Sequence, residues 1–92
     1  MASVVVTLRI MPVSPEVDLP AIEKDAKQRI STFTGKHEFR TETRPIAFGL
    51  KALDITFVTP EEKGSTEPLE KEIAKIRGVN SVEVTDVRRA VG

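Results

Sequence analysis

The chain has 92 residues, 39% of them hydrophobic and 30% charged, with 14 cations balanced by 14 anions. That length supports one domain over residues 1–92, and the composition belongs to a folded globular chain and not to a disordered one. Zero net charge argues against direct nucleic-acid binding, which draws its affinity from phosphate neutralisation, and the absence of cysteine removes disulfides, thiolate metal sites and thiol nucleophiles.

Val4, Val6, Leu8 and Ile10 alternate with Ser3, Val5, Thr7 and Arg9, a period of two that predicts a strand. Pro12 and Pro15 end it by removing ladder donors. Asp18 reads as an N-cap with Pro20 in the first turn. Leu19, Ile22, Ala26, Ile30 and Phe33 follow at helical spacing, so a helix is expected from about Leu19 to Ser31. The polar, extended stretch from Lys36 to Arg44 suits a sheet edge, where charge blocks unwanted pairing. Pro45 to Gly49 is a corner, after which Leu53, Ile55 and Phe57 alternate with Asp54 and Thr56 as a further strand.

A turn-rich connection from Thr59 to Ser65 leads to a second helix. Thr66 reads as its cap, Pro68 lies in its first turn, and Leu69, Ile73 and Ile76 form its stripe. Gly78 reads as its stop, with Lys75 and Arg77 in the last turn. Val79, Val82 and Val84 open a last strand whose phase breaks at Asp86-Val87, the mark of a bulge. Strand, helix, strand, strand, helix, strand predicts an α+β, ferredoxin-like split βαβ sandwich, with a four-stranded antiparallel sheet and both helices on one face.

Catalytic chemistry finds little support. The single histidine, His37, lies in the polar edge segment, without a nearby nucleophile in any triad order. Acidic residues at Glu61-Glu62 and at Glu67, Glu70 and Glu72 read as solvated charge, and the glycines are scattered at turns and form no phosphate cradle. No cofactor, metal site or catalytic residue is therefore expected. No apolar run approaches the ~18 residues of a membrane span, and no signal-type leader is apparent, so the chain reads as cytoplasmic with no membrane partner. Phe48, between Pro45 and Gly49, plugs the end of the sandwich on one reading and wedges against a partner on the other. Arg88-Arg89 is a solubilising tail on one reading and a functional cation pair on the other.

Pro45-Ile46-Ala47-Phe48-Gly49-Leu50-Lys51, together with the terminal Val79-to-Arg89 strand and Leu8-Arg9-Ile10-Met11-Pro12, resembles the exchange domain of the translation elongation factor 1-beta family, in its short archaeal form. The resemblance spans nearly the whole chain. It implies an exchange factor, not a bond-making enzyme, that expels GDP from the GTPase elongation factor 1-alpha and lets GTP reload. By carry-over it makes Phe48 the contact aromatic, with Lys51 flanking it and Ala47 standing where relatives have glycine. It also aligns Arg89, preceded by Arg88, with a penultimate lysine that enters the magnesium and phosphate region of the GTPase. Here arginine replaces that lysine, and Ala90, Val91 and Gly92 follow. On this reading the cation competes for the metal site while the aromatic wedges at the same interface, and the free protein is a monomer. The alternative is a ferredoxin-like RNA-binding module, which calls for exposed aromatics on the two central strands. A small-ligand regulatory domain also suits the fold, but no residue favours it.

Overall fold

Alternating β-branched segments and two amphipathic stripes produce six elements in a computed structural model that describes residues 2–90. They are β1 (Ser3–Pro12), α1 (Leu19–Thr34), β2 (Phe39–Pro45), β3 (Lys51–Pro60), α2 (Glu67–Ala74) and β4 (Val79–Ala90), with short 3-10 turns at Ala47–Gly49 and Glu61–Lys63. Val91 and Gly92, which follow the cation pair, lie outside the described residues. The strands form one sheet in the order β2-β3-β1-β4, every pair antiparallel. This is the expected split βαβ arrangement.

The pleat sorts the two faces. Val6, Leu8 and Ile10 oppose Phe57, Ile55 and Leu53, and all six are buried on the helix side. Ile22, Ala26 and Ile30 of α1, with Leu69 and Ile73 of α2 and the following Ile76, close over them as one core. Truncating any of the larger of these, for example Ile55→Ala, costs about 2–5 kcal/mol because the cavity cannot fully collapse. α1 lies against β3, α2 against β4, and the helices touch each other.

Three boundaries differ from the sequence reading. α1 runs three residues past Ser31 because Thr34 stays helical, its buried hydroxyl donating to Ile30 O at 3.0 Å; Gly35, at φ 75°, then caps the helix in the left-handed region. At α2, the Thr66 hydroxyl turns to the Glu70 carboxylate (2.8 Å), and Ser65 Oγ accepts the Glu67 N–H instead (3.1 Å). The helix ends at Ala74, and Gly78 belongs to the turn into β4. At φ 95° a Cβ on Gly78 would meet Val17 Cγ1 at 2.9 Å, so glycine is required there for space as well as for backbone freedom. The β4 bulge falls one residue early: Thr85 is the extra residue between Leu8↔Val84 and Thr7↔Asp86, and a second irregularity leaves Asn80 over between Met11↔Ser81 and Pro12↔Val79.

Candidate functional site

The Pro45–Lys51 corner is the tip of the β2–β3 hairpin. Pro45 opposes Lys51, the Ile46 N–H donates to Leu50 O at 2.7 Å, and Ala47, Phe48 and Gly49 close the loop. Closing it takes two successive residues at positive φ. Gly49 (φ 75°) accepts this freely, but Phe48 (φ 63°, ψ 30°) is the one non-glycine residue with positive φ among those described. A left-handed conformation costs a residue with a Cβ about 1–2 kcal/mol. The Phe48 ring stands in solvent, 94% exposed, so it plugs nothing. Ile46 is partly exposed beside it, and Lys51 flanks it from the first position of β3. Gly49 faces Pro15 of the β1–α1 loop, which with Pro12 and Pro20 lines a groove that Gly49 and Lys51 also border.

The cation pair lies elsewhere. Arg88 opposes Val5 and Arg89 opposes Val4, so the pleat sends the two guanidinium groups to opposite faces of the sheet. Arg88 meets Asp86 on the open face at 2.8 Å. Arg89 turns to the helix side and donates to Glu61 Oε1 at 2.6 Å. Glu61 stands on the short turn after β3, tied to the start of β1 by its own N–H to Ala2 O at 3.1 Å. Nothing near Arg89 in sequence announces this partner, which the topology delivers from 28 residues away.

The expected site residues fall in two groups. Lys51 begins β3 and the Arg89–Glu61 pair sits just past its other end, so the ten-residue strand puts about 30 Å between them at ~3.3 Å per residue. Phe48 and Lys51 are together, Arg88 and Arg89 are neighbours on opposite faces, and the two groups occupy opposite ends of the sheet.

Between the ends, the helix-free face is a neutral polar network. Asp54, nearly buried, accepts from Arg9 Nε (3.0 Å) and Arg44 Nε (2.7 Å), and Arg44 also meets Glu42 at 2.9 Å. The hydrogen bond that Arg9 donates to Asp54, then the charge of Asp54 and that of Glu83, push the Arg9 guanidinium pKa upward. Thr7 and Thr56 share a hydroxyl hydrogen bond at 2.9 Å. Phe39 and Phe57 point to the helix side, so this face offers no aromatic for base stacking. His37 is exposed, and among the described residues no cluster of metal-ligating side chains occurs. No helix among them is long and apolar enough to cross a membrane.

One polar atom at the β4 end is anomalous. Thr59 is 2% exposed, and its Oγ1 has no hydrogen-bond partner among the described residues. A buried hydroxyl left unpaired costs about 1–3 kcal/mol, so its persistence calls for an explanation. Sequence reasoning missed Thr59, since it reads there as a turn residue.

The EF-1 guanine nucleotide exchange domain family matches residues 5–90. Elongation factor 1-beta of Methanothermobacter thermautotrophicus is 46% identical over 89 residues, covering 97% of this chain and 98% of that protein; its counterpart in Methanosphaera stadtmanae is 44% identical over the same span. The designed protein Foldit4 superposes with a TM-score of 0.65 at 24% identity over 98% of each chain, a likeness of fold alone. With the family model matched over residues 5–90 and archaeal relatives 44–46% identical across 97% of the chain, the chain belongs to the EF-1 guanine nucleotide exchange domain family.

Proposed function

We propose that this chain is a guanine nucleotide exchange factor that binds elongation factor 1-alpha in the cytoplasm, promotes GDP release and allows GTP to reload during translation elongation. The observation that carries the reading is Phe48, an aromatic held in solvent on strained backbone at a hairpin tip. Folding gains nothing from that arrangement, whereas interface hot spots are often aromatic knobs of this kind.

The 30 Å separation divides the labour. Phe48 and Lys51 anchor the partner at one point, and Arg89, with Arg88 behind it, acts at another. A GTPase holds GDP through phosphate contacts and a magnesium ion bridging oxygens. A guanidinium brought to that site competes with the metal, and its planar fork reaches carboxylate or phosphate in bidentate fashion, as a compact ammonium cannot. Before doing so Arg89 must leave Glu61, an exchange between exposed ion pairs that costs under about 1 kcal/mol. Linkage then requires reciprocity: whatever factor the complex takes from GDP affinity, GDP takes from the complex. The protein makes and breaks no covalent bond and needs no nucleotide or nucleic-acid site of its own.

The test is GDP release from elongation factor 1-alpha of the same source, preloaded with fluorescent GDP and chased with unlabelled nucleotide. Substoichiometric protein should accelerate release, with turnover. An active GTPase whose release rate is unmoved would sink the reading and send attention to RNA binding.

A further inference from the structure

Arg88 and Arg89 are paired in different ways. Asp86 meets Arg88 from two residues back on the same strand, so that pair moves with β4 as a unit. Glu61 meets Arg89 from another element altogether. β1 separates β3 from β4 in the sheet; Arg89 opposes Val4, while Pro60, just before Glu61, opposes Ser3. At ~4.8 Å per strand, β3 and β4 run about 10 Å apart, so the two side chains meet over the start of β1 with the guanidinium held across the sheet. Glu61 is the fixed partner. Its N–H donates to Ala2 O and its carbonyl accepts the Gly64 N–H, each at 3.1 Å. Arg89 is the movable one, on an edge strand with its side chain mostly in solvent.

We propose that Glu61 is an internal competitor for Arg89, a brake that holds the cation away from the partner GTPase and sets how much of it is available within the complex. The inference rests on the exchange-factor reading and concerns the regulation of that same site. Two observations favour this role over a structural one. An exposed ion pair adds little to the fold, yet this one orders a long, rotamer-rich side chain against a carboxylate from a different element. The nitrogen that Glu61 takes, Nη2, is also one of those the guanidinium fork needs to grip a carboxylate or phosphate. Charge then governs the exchange of partners. A lone carboxylate on the GTPase offers Arg89 no more than Glu61 already does, and displacement is even. A site with several anionic oxygens, of the kind that holds a divalent cation against phosphates, offers more and draws the guanidinium off. Glu61 thereby sets a threshold of negative charge below which Arg89 stays parked.

Glu61→Gln keeps the shape of the side chain and removes its charge. GDP release from elongation factor 1-alpha at saturating exchange factor should then run about two- to fivefold faster than with the parent, the factor by which an exposed pair withholds the cation. The dissociation constant of the complex should change less than about twofold, and Tm should stay within about 4 °C, as for loss of an exposed pair. Glu62→Gln removes the neighbouring exposed charge of the same turn and should release GDP at the parent's rate. In an Arg89→Ala background, Glu61→Gln should have no effect, because its action passes through that guanidinium. A Glu61→Gln rate equal to or below the parent's overturns the proposal, since the carboxylate is then idle or is holding Arg89 in its working position. An equal gain from Glu62→Gln, or a gain that survives Arg89→Ala, overturns it too, by making the general field of the turn responsible. Arg89→Ala alone separates the two levels. If it slows release while Glu61→Gln does not speed it, only the brake is refuted; if it matches the parent, the reading of this end as the effector fails and the brake with it.

Discussion

At the hairpin tip Phe48 stands in solvent on a left-handed backbone, whereas at the β4 end Arg88 and Arg89 are each already met by a carboxylate. The tip is a debt the fold carries, since an exposed ring and a strained φ both oppose stability and no contact within the chain offsets them. The cations cost the fold nothing. A partner at the tip therefore gains from burial of a ring already aimed at it, and affinity should concentrate there. At the β4 end a partner's anion merely replaces Asp86 or Glu61, so the contribution to affinity is small and a contribution to rate becomes visible. Under the proposed function the comparison predicts one division: the tip should decide how tightly the complex holds, and the β4 end what the complex does.

Asp54→Ala is the largest perturbation and should break both ends together. It leaves Arg9 and Arg44 facing each other across the middle of the open face, and Tm should fall by about 10 °C, with nucleotide exchange at permissive temperature close to that of the parent. Unchanged thermal unfolding would mean the network is ornamental. Phe48→Ala separates the ends. Complex dissociation constants should rise about 30-fold, the loss of a hot spot worth about 2 kcal/mol, with Tm unmoved. Its companion Phe48→Gly should bind as poorly yet unfold at a temperature several degrees higher, since about 1 kcal/mol of strain is relieved. A lower Tm in either would return the ring to a packing role.

Arg89→Ala should act on the opposite quantity: release at saturating exchange factor slows about tenfold, affinity changes little, and Tm stays within about 4 °C because the pair with Glu61 is exposed. A defect confined to affinity would collapse the division. The smallest effect belongs to neither end. Glu72 has its carboxyl pKa lowered by the hydrogen bond from Lys75, then by its charge and that of Arg29, with desolvation opposing. A depressed carboxylate stabilises the fold above its usual pKa of 4.5, and that contribution disappears as pH falls through the lower folded value. Glu72→Gln should accordingly narrow the gap between Tm at pH 7 and at pH 3, detectable by calorimetry, while exchange is unchanged.

The strands and helix stripes were legible because period-two and helical spacings are local properties of β1, β3, α1 and α2. Boundaries were less so. Thr34 and Ser65 owe their roles to which hydroxyl reaches which backbone group, and residue type alone does not settle that competition. Phe48 was marked by its neighbours, but its exposure was not, because large aromatic residues are more often buried and residue type alone does not show a ring left in solvent. The separation of Phe48 from Arg89 follows from strand order, since a β2–β3 tip and the end of β4 lie at opposite ends of such a sheet. Glu61 was invisible, since it matters through Arg89, a neighbour that only the folded chain supplies.

Thr85 gives the β4 bulge a meaning beyond geometry. Were Thr85 paired opposite Thr7, not bulged out, the register would continue in step from Leu8 and Val84, bringing Asp86 opposite Val6 and Arg88 opposite Val4. An aspartate would then face the hydrophobic interior, and the arginine that meets Glu61 would be the other one. The bulge thus works as a selector of which cation each face displays, and deleting Thr85 should abolish the bulge while leaving Arg88 opposite Val5 and Arg89 opposite Val4. Lineages of this fold that differ by one residue before their terminal cations should be aligned by pleat, not by counting forward from the start of the strand.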